Sequence, residues 1–399
     1  MALHHASYVY LPSLRSWLAD WFDPGRCGVL VFFFVSGYII PASLERRGSV
    51  RNFWIGRFFR IYPLLTVTCF LAVLPFLLGV LGLRAGLEQY SPATATLAHA
   101  TMLQDLLDVP NAMNVLWTLS YEMAFYLLIV ALFVVGRQHR SARVCVVLTV
   151  VALVAAALTA TGLLTGAYAP SALLSRTAGT GPVVAVTAAA LAVAIPAAMS
   201  QRPAPRVAGG LLGGLVALVL VTVNGRIGAW EGLVMLAIMF LGTVVHRAEH
   251  GQITRRRLAV TAGVVLTGAV AAGTWHTAHE GRNAQIVWCG AVVLAAAAFT
   301  AAWRFRNRRF PRWLTGLGTI SFSVYLLHPL LLMTVTQFLE TPEGEDVAGL
   351  GLFVLALIAL SWASHRWIEA PAQRLGRRLT RPARQKVRTR PQVLTSQAR

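Results

Sequence analysis

Charge is scarce in this sequence. Aspartate, glutamate, lysine and arginine make up 13% of 399 residues, against 56% hydrophobic residues. So thin a polar complement cannot cover a soluble domain of this length, and a mean hydropathy of +0.63 makes lipid the expected solvent. Cysteine is scarce too: Cys27, Cys69, Cys145 and Cys289 stand singly, at no spacing that a metal site or a redox pair uses. No metal is therefore expected, and structural disulfides have no support. The strict polar–apolar alternation of a membrane β-barrel is missing. No internal repeat and no second soluble domain is visible. The first ten residues, MALHHASYVY, have neither a basic leader nor a sustained apolar run, which excludes a cleavable signal peptide.

What is present is a succession of Ala/Val/Leu-rich runs of about 17 to 22 residues, each long enough to cross a bilayer as a helix. They predict an all-α polytopic bundle with eleven complete spans, at 28–45, 61–82, 116–136, 143–163, 181–199, 207–223, 230–246, 258–276, 284–303, 319–338 and 347–368. A stub at 1–10 precedes them as a truncated first helix. The alternate connections 46–60, 137–143, 200–206, 247–257, 304–315 and the tail from 366 gather 29 of the 35 basic residues. By the positive-inside rule these face the cytoplasm of a plasma-membrane protein. The other side holds Arg15, Arg26, Arg84, Arg176, Arg226, Arg282 and the acidic connection Glu340–Asp346. The net charge of +20 is thus spread along membrane edges, which predicts contact with lipid and none with nucleic acid. In this orientation residue 28 enters from outside, so an outward crossing should come before it and the N-terminal helix reads as incomplete. The expected organisation is a transmembrane domain over 1–370 and a basic, disordered tail over 371–399 lying on anionic headgroups.

Polar residues inside membrane spans are costly, which makes them the first candidates for chemistry. His4-His5 could supply a general base near neutral pH, or could be two surface histidines. Arg57 and Arg60, three residues apart at the mouth of a helix, present two guanidinium forks on one face. They could clamp phosphates of a nucleotide-bearing cofactor or snorkel to lipid headgroups. Glu122, in WTLSYEMAFY, needs a partner, a water-filled cavity or a proton, and a structural pairing competes with a catalytic or acceptor-binding role. Glu231 could equally be interfacial. In SFSVYLLHP, Ser321, Tyr325 and His328 share a helical stripe; Pro329 after the histidine opens the helix locally, so His328 reads either as a kink support or as a site residue.

These clusters resemble family-three membrane O-acyltransferases, which acylate cell-surface polysaccharides and, in some actinomycetes, macrolide antibiotics. The resemblance runs in order along nearly the whole chain: Gly28-Val-Leu-Val-Phe-Phe-Phe-Val-Ser36-Gly37-Tyr, Arg57-Phe-Phe-Arg60-Ile-Tyr-Pro, the motif from Trp117, the motif from Ser321, and Ile368-Glu369-Ala-Pro371. It implies acetyl-CoA or another acyl-CoA as co-substrate, used from the cytoplasm, and a hydroxyl acceptor on a sugar, envelope glycan or glycosylated small molecule. It implies His5, followed by Ala6, as the catalytic base, with His4 as a substitute. It also implies Arg57 and Arg60 on CoA phosphates, Glu122 orienting base or acceptor, and Ser36, Ser120 and His328 on the substrate side. In the family pattern an arginine stands upstream of that histidine; here it would precede Met1, which implies a start assigned too late or a defective paralogue. The competing classes are a transporter or lipid-linked glycan flippase and a scaffold without chemistry. No paired broken helices of the transporter kind are found.

Overall fold

A computed structural model of the chain describes residues 1–83, 86–160, 172–277, 281–338 and 344–380. Among them there is no β-strand. The order is α1 (Ala2–Tyr10), α2 (Pro12–Ala19), α3 (Pro24–Arg47), α4 (Val50–Leu77), α5 (Pro92–Ala100), α6 (Trp117–Val134), α7 (Ser141–Ala160) and α8 (Leu173–Ala178). There follow α9 (Thr180–Ala198), α10 (Pro203–Val223), α11 (Ala229–Glu249), α12 (Arg255–His276), α13 (Arg282–Phe305), α14 (Arg312–Phe338), α15 (Val347–Ser364) and α16 (Ala370–Thr380). All eleven expected spans are present as helices long and apolar enough to cross a membrane.

Their sequences explain where they sit. In α6 and α11 nearly every side chain is enclosed, and these two form the centre of the bundle. Outer helices are apolar on both faces but differ in size from face to face. In α7, Cys145, Ala152 and Ala156 turn inward, while Val147, Val150 and Val154 remain exposed at helical spacing, as expected where the surrounding solvent is hydrocarbon. Small residues decide the closest crossing. A Cβ on Gly37 of α3 would lie 1.7 Å from the Met239 carbonyl oxygen of α11, and one on Gly242 would lie 2.3 Å from that of Phe34. Thr243 Oγ1 donates to Gly37 O across this contact at 2.9 Å.

Two boundaries matter for the site. Gly48, at φ +61°, ends α3 in the left-handed conformation, and Ser49 caps α4 by accepting from Asn52 N at 3.3 Å. This tight turn starts α4 eleven residues before the expected span, so Arg57 and Arg60 lie within the helix rather than ahead of it. Intrahelical hydrogen bonds continue past the apolar run, which hydropathy alone does not register. At the other end, α15 passes through a π-turn at His365–Glu369 into α16, just ahead of Pro371, which lacks an N–H for the ladder. Residues 371–380 of the expected loose tail are therefore helical, and α16 packs along α4; residues 381–399 lie outside the described residues, as do Arg84 and most of the acidic connection from Glu340. The stub is the helix α1, docked through Ala6 and Tyr10 onto Leu332, Phe353 and Leu357 of α14 and α15.

Candidate functional site

Proline at 329 removes the N–H that would have reached the Tyr325 carbonyl, and the His328 ring turns back along α14 so that its Nδ1 lies 3.0 Å from the Val324 carbonyl oxygen. His328 is fully enclosed. Its Nε2 lies 2.9 Å from Nδ1 of His5, and the two rings stack with centroids 5.1 Å apart. A carbonyl can only accept, so in the neutral pair His328 Nδ1 carries the hydrogen and its Nε2 offers a lone pair. His5 Nδ1 must then donate to it. That leaves the lone pair of His5 on Nε2, the form a general base requires. His5 is partly exposed, whereas His328 is not.

His4 and His5 turn in different directions. His4 turns toward the start of α3, its Nε2 3.9 Å from Asp23 Oδ1 and packed against Gly25. His5 turns toward α14.

From the histidines a line of polar groups follows α14 and α6. One turn along α14, the Tyr325 hydroxyl pairs with Thr118 Oγ1 and Val115 O, and its ring stacks on Phe32 of α3. One turn further along α6 is Glu122, 8% exposed, whose carboxylate accepts from the Tyr126 hydroxyl. The Arg57 guanidinium sits 5.4 Å above both the Phe53 and the Tyr126 rings. The fields of Arg57 and Arg60 both reach Glu122. The stretch of α6 from Thr118 to Tyr126 covers about 12 Å at helical rise. Histidines and arginines thus stand at the two ends of one track, with Glu122 grouped toward the arginines.

The remaining candidates have other surroundings. Ser120 is fully buried and its Oγ accepts from Asp105 N at 3.2 Å, which holds the segment 101–113 folded into the bundle. In that segment Asn111 bridges Gln104 and Asp105, each at 3.0 Å. Burial pushes the Asp105 carboxyl upward, against the hydrogen bond from Asn111 and the charge of Arg226. Ser36 is buried beside the Gly37 crossing. Ser321 is exposed and bonds its own helix at Gly318 O, apart from the histidine pair.

Sequence reasoning missed two further buried carboxylates, Asp105 and Glu369. Glu369, in the π-turn, is 3% exposed and accepts from Ser323 Oγ of α14. The motif Ile368-Glu369-Ala-Pro371 was visible, but its partner lay on another helix. Replacing Glu369 by alanine strips the acceptor from a buried hydroxyl, and a loss of about 1–3 kcal/mol is expected. The midpoint of thermal unfolding of the purified protein should fall, and Glu369→Gln, which keeps an acceptor, should recover most of it. An unchanged midpoint in the alanine variant would show that this pair does not hold α15 to α14.

The described residues thus form a multi-pass helical bundle with a histidine pair and an arginine-lined mouth. The family profile of the acyltransferase family 3 domain matches residues 1–176 and 182–366, and the chain belongs to that family. It is 30% identical over 133 residues to nodulation protein 10 of Rhizobium leguminosarum bv. viciae, covering 30% of this chain and 36% of that protein. It is 35% identical over 104 residues to acyltransferase MdmB of Streptomyces mycarofaciens, covering 26% of this chain and 27% of that protein. The matched stretches are thus a minor part of each relative's length. No solved structure matches the chain.

Proposed function

We propose that the protein moves an acetyl or other short acyl group from acyl-CoA to a hydroxyl of a sugar, envelope glycan or glycosylated small molecule such as a macrolide. The observation that carries this reading is the His5–His328 pair, which leaves Nε2 of His5 free to accept a proton. His5 takes the proton of the acceptor hydroxyl while the oxygen attacks the thioester carbonyl. The carbon–sulfur bond then breaks, and the leaving thiolate recovers the proton from His5. Throughout, His5 Nδ1–H remains donated to His328, which steadies the imidazolium that forms. Arg57 and Arg60 hold CoA phosphates, and the pantetheine arm follows the track past Tyr126 and Glu122. Family membership and a relative named as an acyltransferase support the class of reaction.

The basic connections and the mouth lined by Arg57 and Arg60 lie toward the cytoplasm in this reading, where acyl-CoA is made, and the bundle sits in the plasma membrane. The test is transfer of labelled acetyl from acetyl-CoA into glycans or small molecules by membranes containing the protein. Labelled ester product supports the proposal; uptake of an unmodified solute into sealed vesicles, with no ester formed from any acyl-CoA, overturns it in favour of a transporter. Arg57→Gln or Arg60→Gln should raise KM for acyl-CoA by about 10- to 100-fold, the loss of one charge-assisted contact. A KM that stays put in both variants would remove the arginines from the donor site.

A further inference from the structure

The turn at Gly48 and Ser49 brings the end of α3 beside the first turns of α4, and α16 closes the third side. Between them lies a cavity of about 240 Å³ lined by Arg46, Arg47, Arg57, Arg60 and Arg377. Only two of these five arginines belong to the paired motif. Among the described residues none of the five is in an ion pair. Neighbouring arginines on the same end of the bundle behave differently: Arg247 is paired with Glu45 and Arg306 with Glu249. The five arginines thus bring their charge to the cavity with no carboxylate of the described residues to offset it.

Two of the guanidiniums, those of Arg47 and Arg57, are also held in place. A Cβ on Gly56 would lie 2.4 Å from Arg47 Nη1, so glycine there leaves the room that the Arg47 head occupies. Arg47 Nη1 donates to Asn52 O at 2.8 Å. Arg57 is held over its two aromatic rings. Gly376 lets α16 approach α4 closely enough to bring Arg377 in, since a Cβ at that position would lie 2.8 Å from Phe59 Cβ. Five like charges gathered around one cavity repel one another, and an anion of matching charge relieves that repulsion.

The charge balance says which anion. The diphosphate bridge of a CoA molecule is a diester with two charges, which Arg57 and Arg60 match. Arg46, Arg47 and Arg377 exceed that need. A phosphomonoester adds about −1.5 to −2 at pH 7. We propose that Arg46, Arg47 and Arg377 read the 3′-phosphate of the donor, so that the cavity selects CoA against 3′-dephospho-CoA and α16 is part of the donor site. This rests on the acyl-CoA reading above.

The experiment is calorimetric titration of CoA and of 3′-dephospho-CoA into the full-length protein in phosphatidylcholine nanodiscs. CoA should bind at least about tenfold more tightly, the effect of one or more charge-assisted contacts. Arg377→Gln should bring CoA affinity down toward that of the dephospho form, with Arg377→Lys retaining part of the preference, and Arg46→Gln/Arg47→Gln should act in the same direction. Equal affinity for the two ligands in the unaltered protein, or a preference untouched by the Arg377 and Arg46/Arg47 changes, overturns the 3′-phosphate assignment while leaving the donor reading intact. Binding of neither ligand overturns both. Because a lipid headgroup also carries phosphate, the titration is repeated in nanodiscs containing phosphatidylglycerol: preference for CoA that persists supports the assignment, and its abolition marks the arginines as a headgroup site instead.

Discussion

Replacing His5 by alanine is expected to lower kcat/KM for acyl transfer by about 10²- to 10⁴-fold, the contribution of a positioned general base. The protein should still be inserted and purified at the normal level, because His5 is partly exposed and gives up one hydrogen bond, to His328. His4→Ala should leave the rate nearly unchanged, since His4 faces Asp23. His328→Ala separates positioning from packing. It removes the acceptor that fixes the tautomer of His5, so kcat should fall by less than in His5→Ala while KM for the donor stays constant. A purely structural loss would instead lower the amount of folded enzyme and leave the kcat of the remaining fraction intact. His328→Gln, whose amide oxygen can accept from His5 Nδ1, should restore part of the rate. Activity within about twofold of the original in His5→Ala, far below what a general base contributes, would remove His5 from the reaction and with it the role given to His328.

The spans were legible because lipid imposes one length and one composition on every crossing. What surrounds the spans was not. The nine residues of α1 are too few to register as a span, and it is contacts to α14 and α15 that hold them as a helix. The segment 101–113 read as a connection, yet Leu103, Leu106 and Leu107 are fully buried and Asn111 joins Gln104 to Asp105, an arrangement without a periodic signature. In the site, His5 and His328 were each visible as costly polar residues, but 323 positions separate them and no local pattern links the two. By composition Arg46, Arg47 and Arg377 are indistinguishable from the other basic residues at the membrane edge. Only the turn at Gly48 and the continuous helix through the π-turn place them around one cavity with Arg57 and Arg60. Glu122 was legible as a buried carboxylate one turn from Tyr126, but the approach of the α4 arginines to it depends on how α4 packs beside α6.

The same crossing logic gives the largest expected effect on folding. Gly37→Val should leave little monodisperse protein after extraction. At 1.7 Å from the Met239 carbonyl oxygen, a Cβ meets backbone rather than a flexible side-chain end, so nothing can rotate away and the two helices must part. Overpacking of ordinary cores costs about 1–3 kcal/mol; here the strain falls on an interface whose stability depends on close backbone approach, because lipid gives apolar side chains no reason to leave it. Separation would also break the Thr243 hydrogen bond to Gly37 O and displace Phe32 from Tyr325. It would carry Arg46 and Arg47 away from the arginines of α4, so any surviving protein should bind acyl-CoA weakly. Gly263→Val on α12 is the matched control, since nothing lies within 4 Å of a Cβ there; its effect should stay within about 0.5 kcal/mol, as for an open surface site. Size-exclusion profiles and unfolding midpoints of the two variants, measured side by side, decide the matter. Should Gly37→Val elute and melt like Gly263→Val, α3 and α11 do not meet at this glycine, and the arrangement that brings Phe32 to Tyr325 and the α3 arginines to the donor cavity loses its foundation.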